Sequence, residues 1–421
     1  VIGSMVEFYD FQLYGASAAI VFSRIFFAGG NAQSSVILAF LSFGAGFLAR
    51  PFGGIVFGQL GDRIGRRPML VATLALMSLA TTCIGLLPSA ASFGSGVVLI
   101  LIGLRFLQGF GAGAEYAGAV LLATESSRQS RHGLAGSMTI TGCWLGSLLA
   151  LAAFSLCSSL PEAQFLEWGW RLPFLLNIGL AGVGLWIRSH VPETPEFQAA
   201  HANPRRAEIP LLRMVALYWR EILVAMGSNA AMTFYSYILQ VYGLHYMVAE
   251  IGISPHNALI AVAVAYVAAA VLSPLWGMLC DRIGAQRVYL GGAIFSLLYV
   301  APLFMLLDRR SPGLAAAAIA IGLSVGLCPQ FAAQASYLTR LFPVEVRFRG
   351  MAFSREVSAA LMAGPGPAIA AFLVARDSGH WGLLALSLAA SSALTIVSLL
   401  FGSLSLLSRP VAAPARSQAS V

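Results

Sequence analysis

Residues 58–67 read Gly58-Gln59-Leu60-Gly61-Asp62-Arg63-Ile64-Gly65-Arg66-Arg67, a short charged stretch between two long apolar runs. A related stretch returns 219 positions later as Gly277-Met278-Leu279-Cys280-Asp281-Arg282-Ile283-Gly284-Ala285-Gln286-Arg287. Each copy follows the second apolar run of its half. A loop duplicated at that distance in 421 residues indicates two similar halves joined head to tail.

The composition fits such a chain only in a bilayer. Hydrophobic residues make up 58% and charged residues 10%, against about 25% charged in a soluble domain. Mean hydropathy is +0.81. The net charge of +8 comes from arginines that punctuate apolar runs, with no lysine and no basic domain, so no nucleic-acid partner is expected. Cys83, Cys143, Cys157, Cys280 and Cys328 lie in or beside apolar runs without metal-ligand spacing and read as small buried residues. No metal, cofactor or catalytic group is expected: there is no metal cluster and no nucleophile elbow. The chain begins inside an apolar run at Val1, without a signal peptide, and a short basic segment is expected before it.

A membrane-spanning helix needs about 20 apolar residues. Twelve such runs can be marked: 1–23, 35–60, 69–87, 96–121, 134–157, 170–189, 221–248, 257–279, 288–307, 313–338, 350–375 and 381–407. The expected fold is therefore all-α and integral to the membrane, with twelve transmembrane helices in two pseudo-symmetric six-helix bundles. The first bundle is 1–189 and the second 221–407. A proline-rich linker, 190–220, joins them, and a Pro/Ala/Ser-rich tail, 408–421, is expected to be disordered. Most arginines fall in the even-to-odd loops and the tail, which puts those loops and both termini in the cytoplasm. Trp168 and Trp170 read as interfacial aromatics at the start of run 6.

Ionisable residues inside spans are costly and point to function. Glu7 and Asp10 share a face of run 1, with Tyr14 one turn on. Arg50 lies about 18 Å from the charged loop, near mid-bilayer. Run 4 carries Arg105 and, nearer the cytoplasm, Glu115. Asp10, Arg50 and Arg105 fall at similar depth. An ionised Asp10 would pair with an arginine; a protonated Asp10 would release it to hold an anion through a bidentate contact. Proton and anion binding would then favour each other, as symport requires. The alternative is an ion pair that only fixes helix packing; for Glu7 a place toward the cytoplasmic mouth competes. Arg355-Glu356 in run 11 reads as a local or gate ion pair. Softer candidates for a cavity lining are Tyr237 and Gln240, which lie with Asn229, Thr233 and Ser236 in run 7, Gln330 and Gln334 in run 10, and Trp144 in run 5. Helix-to-helix hydrogen bonding is the competing reading for these. His245 reads as polar lining or structural. Glycines in runs 2 and 4, among them Gly53, Gly109 and Gly113, let backbones approach closely.

With these motifs in hand, the chain resembles the major facilitator superfamily over essentially its whole length. The matching pieces are the loop at 58–67, Arg105-Phe-Leu-Gln-Gly-Phe-Gly-Ala-Gly113 and Pro192-Glu-Thr-Pro195. A narrower resemblance is to the metabolite:proton symporters for citrate, 2-oxoglutarate, shikimate and proline or betaine. It rests on Glu7-Phe-Tyr-Asp10-Phe11, Phe47-Leu-Ala-Arg50-Pro51-Phe-Gly53-Gly54, Gly113-Ala-Glu115-Tyr116, Trp168-Gly-Trp170-Arg171-Leu-Pro173-Phe174 and Phe342-Pro343 with Arg347. The glutamine-rich helix-7 signature of sugar porters is absent.

The resemblance implies alternating access around a mid-bilayer site. It also implies a cytoplasmic gate in which Asp62, Arg63, Arg66 and Arg67 meet Glu125, with a second copy at Asp281 and Arg282. That second copy departs from the pattern at Ala285-Gln286, Arg340 and Arg355-Glu356, so its latch is expected to be rewired, with Glu356 or Glu345 meeting Arg340 or Arg282. Taken together, the expectation is a monomeric transporter of the bacterial inner membrane, not an enzyme. It would take up a small organic anion, such as a di- or tricarboxylate, with protons. The rivals are uptake of a zwitterionic osmolyte and drug/proton antiport.

Overall fold

The computed structural model describes residues 2–28, 31–64, 66–113, 132–190, 210–343 and 346–407. Among these the chain is helical throughout, as a backbone in hydrocarbon must be, because no water is present to satisfy open N–H and C=O groups. The spanning helices are α1 (Ile2–Ser17, continued by a π turn at Ala18–Phe22), α2 (Ala32–Ile64), α3 (Arg66–Gly85), α4 (Gly96–Ala112), α5 (His132–Ser158) and α6 (Leu172–His190). The second half supplies α7 (Trp219–Ala249), α8 (Pro255–Ile283), α9 (Ala285–Leu307), α10 (Pro312–Leu341), α11 (Arg349–Arg376) and α12 (Gly382–Leu407). Among the described residues nine of the twelve are long and apolar enough to cross a membrane by length and composition alone; the others are α1, which carries Glu7 and Asp10, the shorter apolar α4, and α6.

Packing repeats with a shift of six helices. In the first half α1 lies on α5, α2 on α4, and α3 on α6; in the second α7 lies on α11, α8 on α10, and α9 on α12. The two bundles meet through α5 on α8 and through α2 on α11, which the same shift exchanges. One π turn follows it too, Ala18–Phe22 in α1 having its counterpart at Ile238–Tyr242 in α7, whereas those at Gly322–Leu327 in α10 and Ala359–Ala363 in α11 have none among the described residues.

Side chains sort by the lipid, not by water. In α2, Phe40, Phe43, Phe47 and Arg50 face inward, while Leu38, Leu41, Leu48 and Phe52 are exposed on the outer surface. Polar groups therefore belong to the interior and apolar ones to both faces. The second loop copy shows its local logic. Ser254 accepts a hydrogen bond from the Asn257 N–H, capping α8 ahead of Pro255. The helix stops at Gly284, whose φ of 94° lies where a side chain is strained.

Trp170 differs from the sequence expectation. It is fully buried in the first bundle between the rings of Phe22, Phe26 and Phe174, and only Trp168 is exposed. Both tryptophans follow a short turn, and adjacency in sequence does not say which one folds inward.

Candidate functional site

Four glycines bring α2 and α4 into backbone contact. A Cβ on Gly109 would stand 1.8 Å from the Gly46 carbonyl oxygen, one on Gly53 1.8 Å from that of Phe110, and one on Gly113 2.0 Å from that of Arg50. Two helices this close set Arg50 and Arg105 side by side in the protein centre, both essentially without solvent exposure.

Arg50 is the hub. Its Nη2 donates to Glu7 Oε1 at 2.6 Å and its Nε to Glu356 Oε2 at 2.7 Å. Its guanidinium also lies 4.9 Å from the Phe11 ring centre and 5.6 Å from that of Phe47. Glu356 uses its other oxygen to accept from Arg355 Nη1. Three helices, α1, α2 and α11, thus meet in one ion network that crosses between the bundles.

Arg105 sits in a different setting. It is held over the rings of Phe11 and Tyr14, each at 4.3 Å, and of Phe43 at 4.9 Å. It donates to the Phe43 carbonyl at 3.3 Å and to Gln108, which passes a 2.7 Å bond on to Thr81. Its Nη2 is buried with no hydrogen-bond acceptor among the described residues. Asp10 is fully buried and within electrostatic reach of Arg105, as is Arg50. Arg50, Arg105 and Arg355 stand against Glu7, Asp10 and Glu356, so the described charges of the centre cancel.

Around this core, Tyr14 donates to Ser42 at 2.8 Å. The Tyr237 ring packs on Phe43 and Phe47. Gln240 accepts from Tyr266 at 3.1 Å. Trp144 donates to Ser273 at 3.0 Å, bridging α5 to α8, and stacks on Tyr266. Gln330 donates to Ser296 at 3.0 Å and Gln334 to Asn229 at 2.6 Å. Those last two bonds stitch α10 to α9 and α7 within the second bundle, apart from the arginine network.

Three details differ from what the sequence suggested. Glu7, for which the sequence left a place toward the cytoplasmic mouth open, is fully buried on Arg50, on the same inner face as Asp10. The arginine nearest to pairing with run 1 is Arg50 through Glu7, not Arg105 through a bond to Asp10. Glu356 meets neither Arg340 nor Arg282; it reaches the centre, since a place one to two turns into α11 points it at α2. Glu345, Glu115 and Glu125 lie outside the described residues, as do the side chains of Asp62, Arg63, Arg66 and Arg67.

Described residues of the two bundles touch at both ends of the centre. At the end with the charged loops, Asp281 accepts from the Gly133 N–H at 2.7 Å and the Leu134 N–H at 3.0 Å. These are open N–H groups at the start of α5, which favour a negative charge. A Cβ on Gly133 would stand 2.5 Å from the Gly277 carbonyl oxygen. At the other end His245 Nδ1 is 3.3 Å from the Ala19 carbonyl oxygen, and Phe40 packs on Tyr242 and His245. Among the described residues the two bundles are thus in contact on both sides of a buried centre.

Comparison with known proteins agrees with this architecture. The family model for sugar (and other) transporters matches residues 1–216, and that of the major facilitator superfamily matches 224–420. The inner membrane metabolite transport protein YhjE of Escherichia coli (strain K12) is 35% identical over 95% of this chain and 91% of its own. The shikimate transporter of that organism is 33% identical over 92% and 89%, and its proline/betaine transporter 31% over 89% and 76%. Among solved structures, the proton:xylose symporter XylE superposes with a TM-score of 0.76 at 15% identity, covering 95% of this chain and 93% of that one. The chain belongs to the major facilitator superfamily of membrane transporters, with metabolite, shikimate and proline/betaine carriers among its relatives.

Proposed function

We propose that this protein takes up a small carboxylate-bearing metabolite together with protons, by alternating access across the bacterial inner membrane, with its arginine-rich loops and both termini in the cytoplasm. The observation that carries the reading is Arg50, buried between Glu7 of one bundle and Glu356 of the other. A cation at the bundle interface is where a substrate carboxylate would be held through a charge-assisted, two-pronged contact. Because the formal charges described at the centre already cancel, an added anion would be uncompensated in a low-dielectric interior. A proton taken by Asp10 or Glu7 restores balance, so anion and proton enter together. Arg105, with its spare buried Nη2, serves as counter-ion to Asp10. Tyr14, Trp144, Tyr237 and Gln240 shape the chamber, and Asp281 on the start of α5 acts as the cytoplasmic latch.

A zwitterion is the second reading, favoured by the cancelled charge and by relatives named for proline, betaine and ectoine. Shikimate and those compounds all carry a carboxylate, which is the group assigned to Arg50. Uptake into proteoliposomes with an acid exterior tests the function. Accumulation of labelled shikimate or glycine betaine that collapses with the pH gradient is expected; accumulation indifferent to the gradient would exclude proton symport. Clamping the membrane potential separates the readings: a monoanion carried with one proton moves no net charge, whereas a zwitterion with a proton does.

A further inference from the structure

Among the described residues Glu356 is the one central carboxylate that comes from the second bundle, and it divides its two oxygens. Oε2 accepts from Arg50 across the interface and Oε1 accepts from its neighbour Arg355. Arg50 is divided in a matching way. Its Nη2 is tied to Glu7, and its guanidinium lies against the Phe11 and Phe47 rings, all of the first bundle. Only its Nε edge is given to the second bundle. Losing that one contact leaves neither charge stranded: Arg50 keeps Glu7 and the rings, and Glu356 keeps Arg355. Tyr237, partly buried on Phe43 and Phe47, lies within electrostatic reach of Arg50 and Arg355, and Arg105, with Asp10 beside it, faces Arg50 from α4.

We infer that Glu356 is a built-in stand-in for the substrate carboxylate: it occupies Arg50 in the empty protein and is displaced onto Arg355 when a carboxylated ligand arrives. The inference rests on the carboxylate reading given above and extends it to the empty carrier. A buried arginine facing an empty chamber would resist closure of the bundles around it, because the desolvated charge lacks a partner on that side. With Glu356 in place the empty protein closes as the loaded one does, which is the step a carrier needs to return and take up again.

The test uses acetate, the smallest carboxylate, on purified full-length protein. In Glu356→Ala, acetate is expected to raise the thermal unfolding midpoint by several degrees, with equal sodium chloride as control, and to leave wild type unmoved. Acetate should not rescue the Arg50→Gln/Glu356→Ala double variant. Equal responses of wild type and Glu356→Ala would overturn the inference. Should Glu356→Ala fail to fold, the nearly isosteric Glu356→Gln carries the same comparison. In proteoliposomes Glu356→Gln is expected to lose about tenfold or more of net shikimate or glycine betaine uptake, a change of about 1.4 kcal/mol or more in the limiting step. Counterflow against preloaded substrate should persist, since it never needs the empty return. Parallel loss of both, or retention of both, would overturn the inference. If Glu356→Ala shows the acetate response but wild type shows no proton-driven uptake, the stand-in role of Glu356 stands and the symport reading falls.

Discussion

Arg50 and Glu356 are separated by 306 positions in the chain and by 2.7 Å in the fold. Their bond ties α2 of the first bundle to α11 of the second at a point with almost no solvent exposure. Removing one member of a buried pair is more harmful than removing both, because the survivor keeps its desolvation cost. Arg50→Gln removes the cation that Glu7 and Glu356 share and leaves Glu356 with Arg355. It should destabilise the protein by about 3–5 kcal/mol, and Arg50→Gln/Glu7→Gln/Glu356→Gln should recover much of that. Thermal unfolding in detergent measures both; equal stability of the single and triple variants would show that the network is not what Arg50 holds together.

Asp10→Asn should abolish accumulation driven by an acid exterior while sparing counterflow, since a neutral amide cannot take up or release the proton. The same variant should remove the dependence of uptake on external pH. Unchanged accumulation would assign the coupling to another carboxylate, of which Glu7 is the nearest along α1.

The contact between α2 and α4 depends on glycine. Gly109→Ala places a methyl against a carbonyl oxygen that neither helix can move without shifting its arginine. A loss of about 1–3 kcal/mol is expected from overpacking of this kind, together with loss of transport. Gly103→Ala on the same helix meets nothing within 4 Å and serves as the control. Stability and uptake of the two variants should separate clearly.

Asp281→Ala removes a carboxylate from two backbone N–H groups at the start of α5. The cap should be worth about 0.5–2 kcal/mol, and its loss should bias the seam toward opening at that end. Cys280, buried beside Gly133, reports the change directly. Its alkylation by a membrane-permeant maleimide should speed up in Asp281→Ala; an unchanged rate would mean that Asp281 only caps a helix.

Much of this was legible in the chain. Apolar runs of bilayer length, arginine asymmetry and the repeated loop of 58–67 and 277–287 define twelve spans in two related halves, because a helix in lipid is specified by length and hydropathy alone. Glu7, Asp10, Arg50 and Arg105 announce themselves for the same reason, as charges no lipid-facing position would tolerate. Their pairing was not legible. Depth along a helix follows from 1.5 Å per residue, yet the azimuth at which two helices meet depends on packing, here on the glycine seam of α2 and α4. Thus Glu7 rather than Asp10 bonds to Arg50, and Gln330 and Gln334 turn to helix neighbours.

The second loop copy states the division most plainly. Its sequence shows an Asp-Arg start kept and a basic pair lost, and from that only an altered latch follows. The tertiary structure decides what Asp281 does, by carrying the α8 end across the seam to the open N–H groups of α5. Likewise the sequence by itself determined that Glu356 is a charge inside a span. Only the packing of α11 on α2 decided that its partner is Arg50, since a contact between bundles is fixed by how two folded halves fit, which no local pattern in either half encodes.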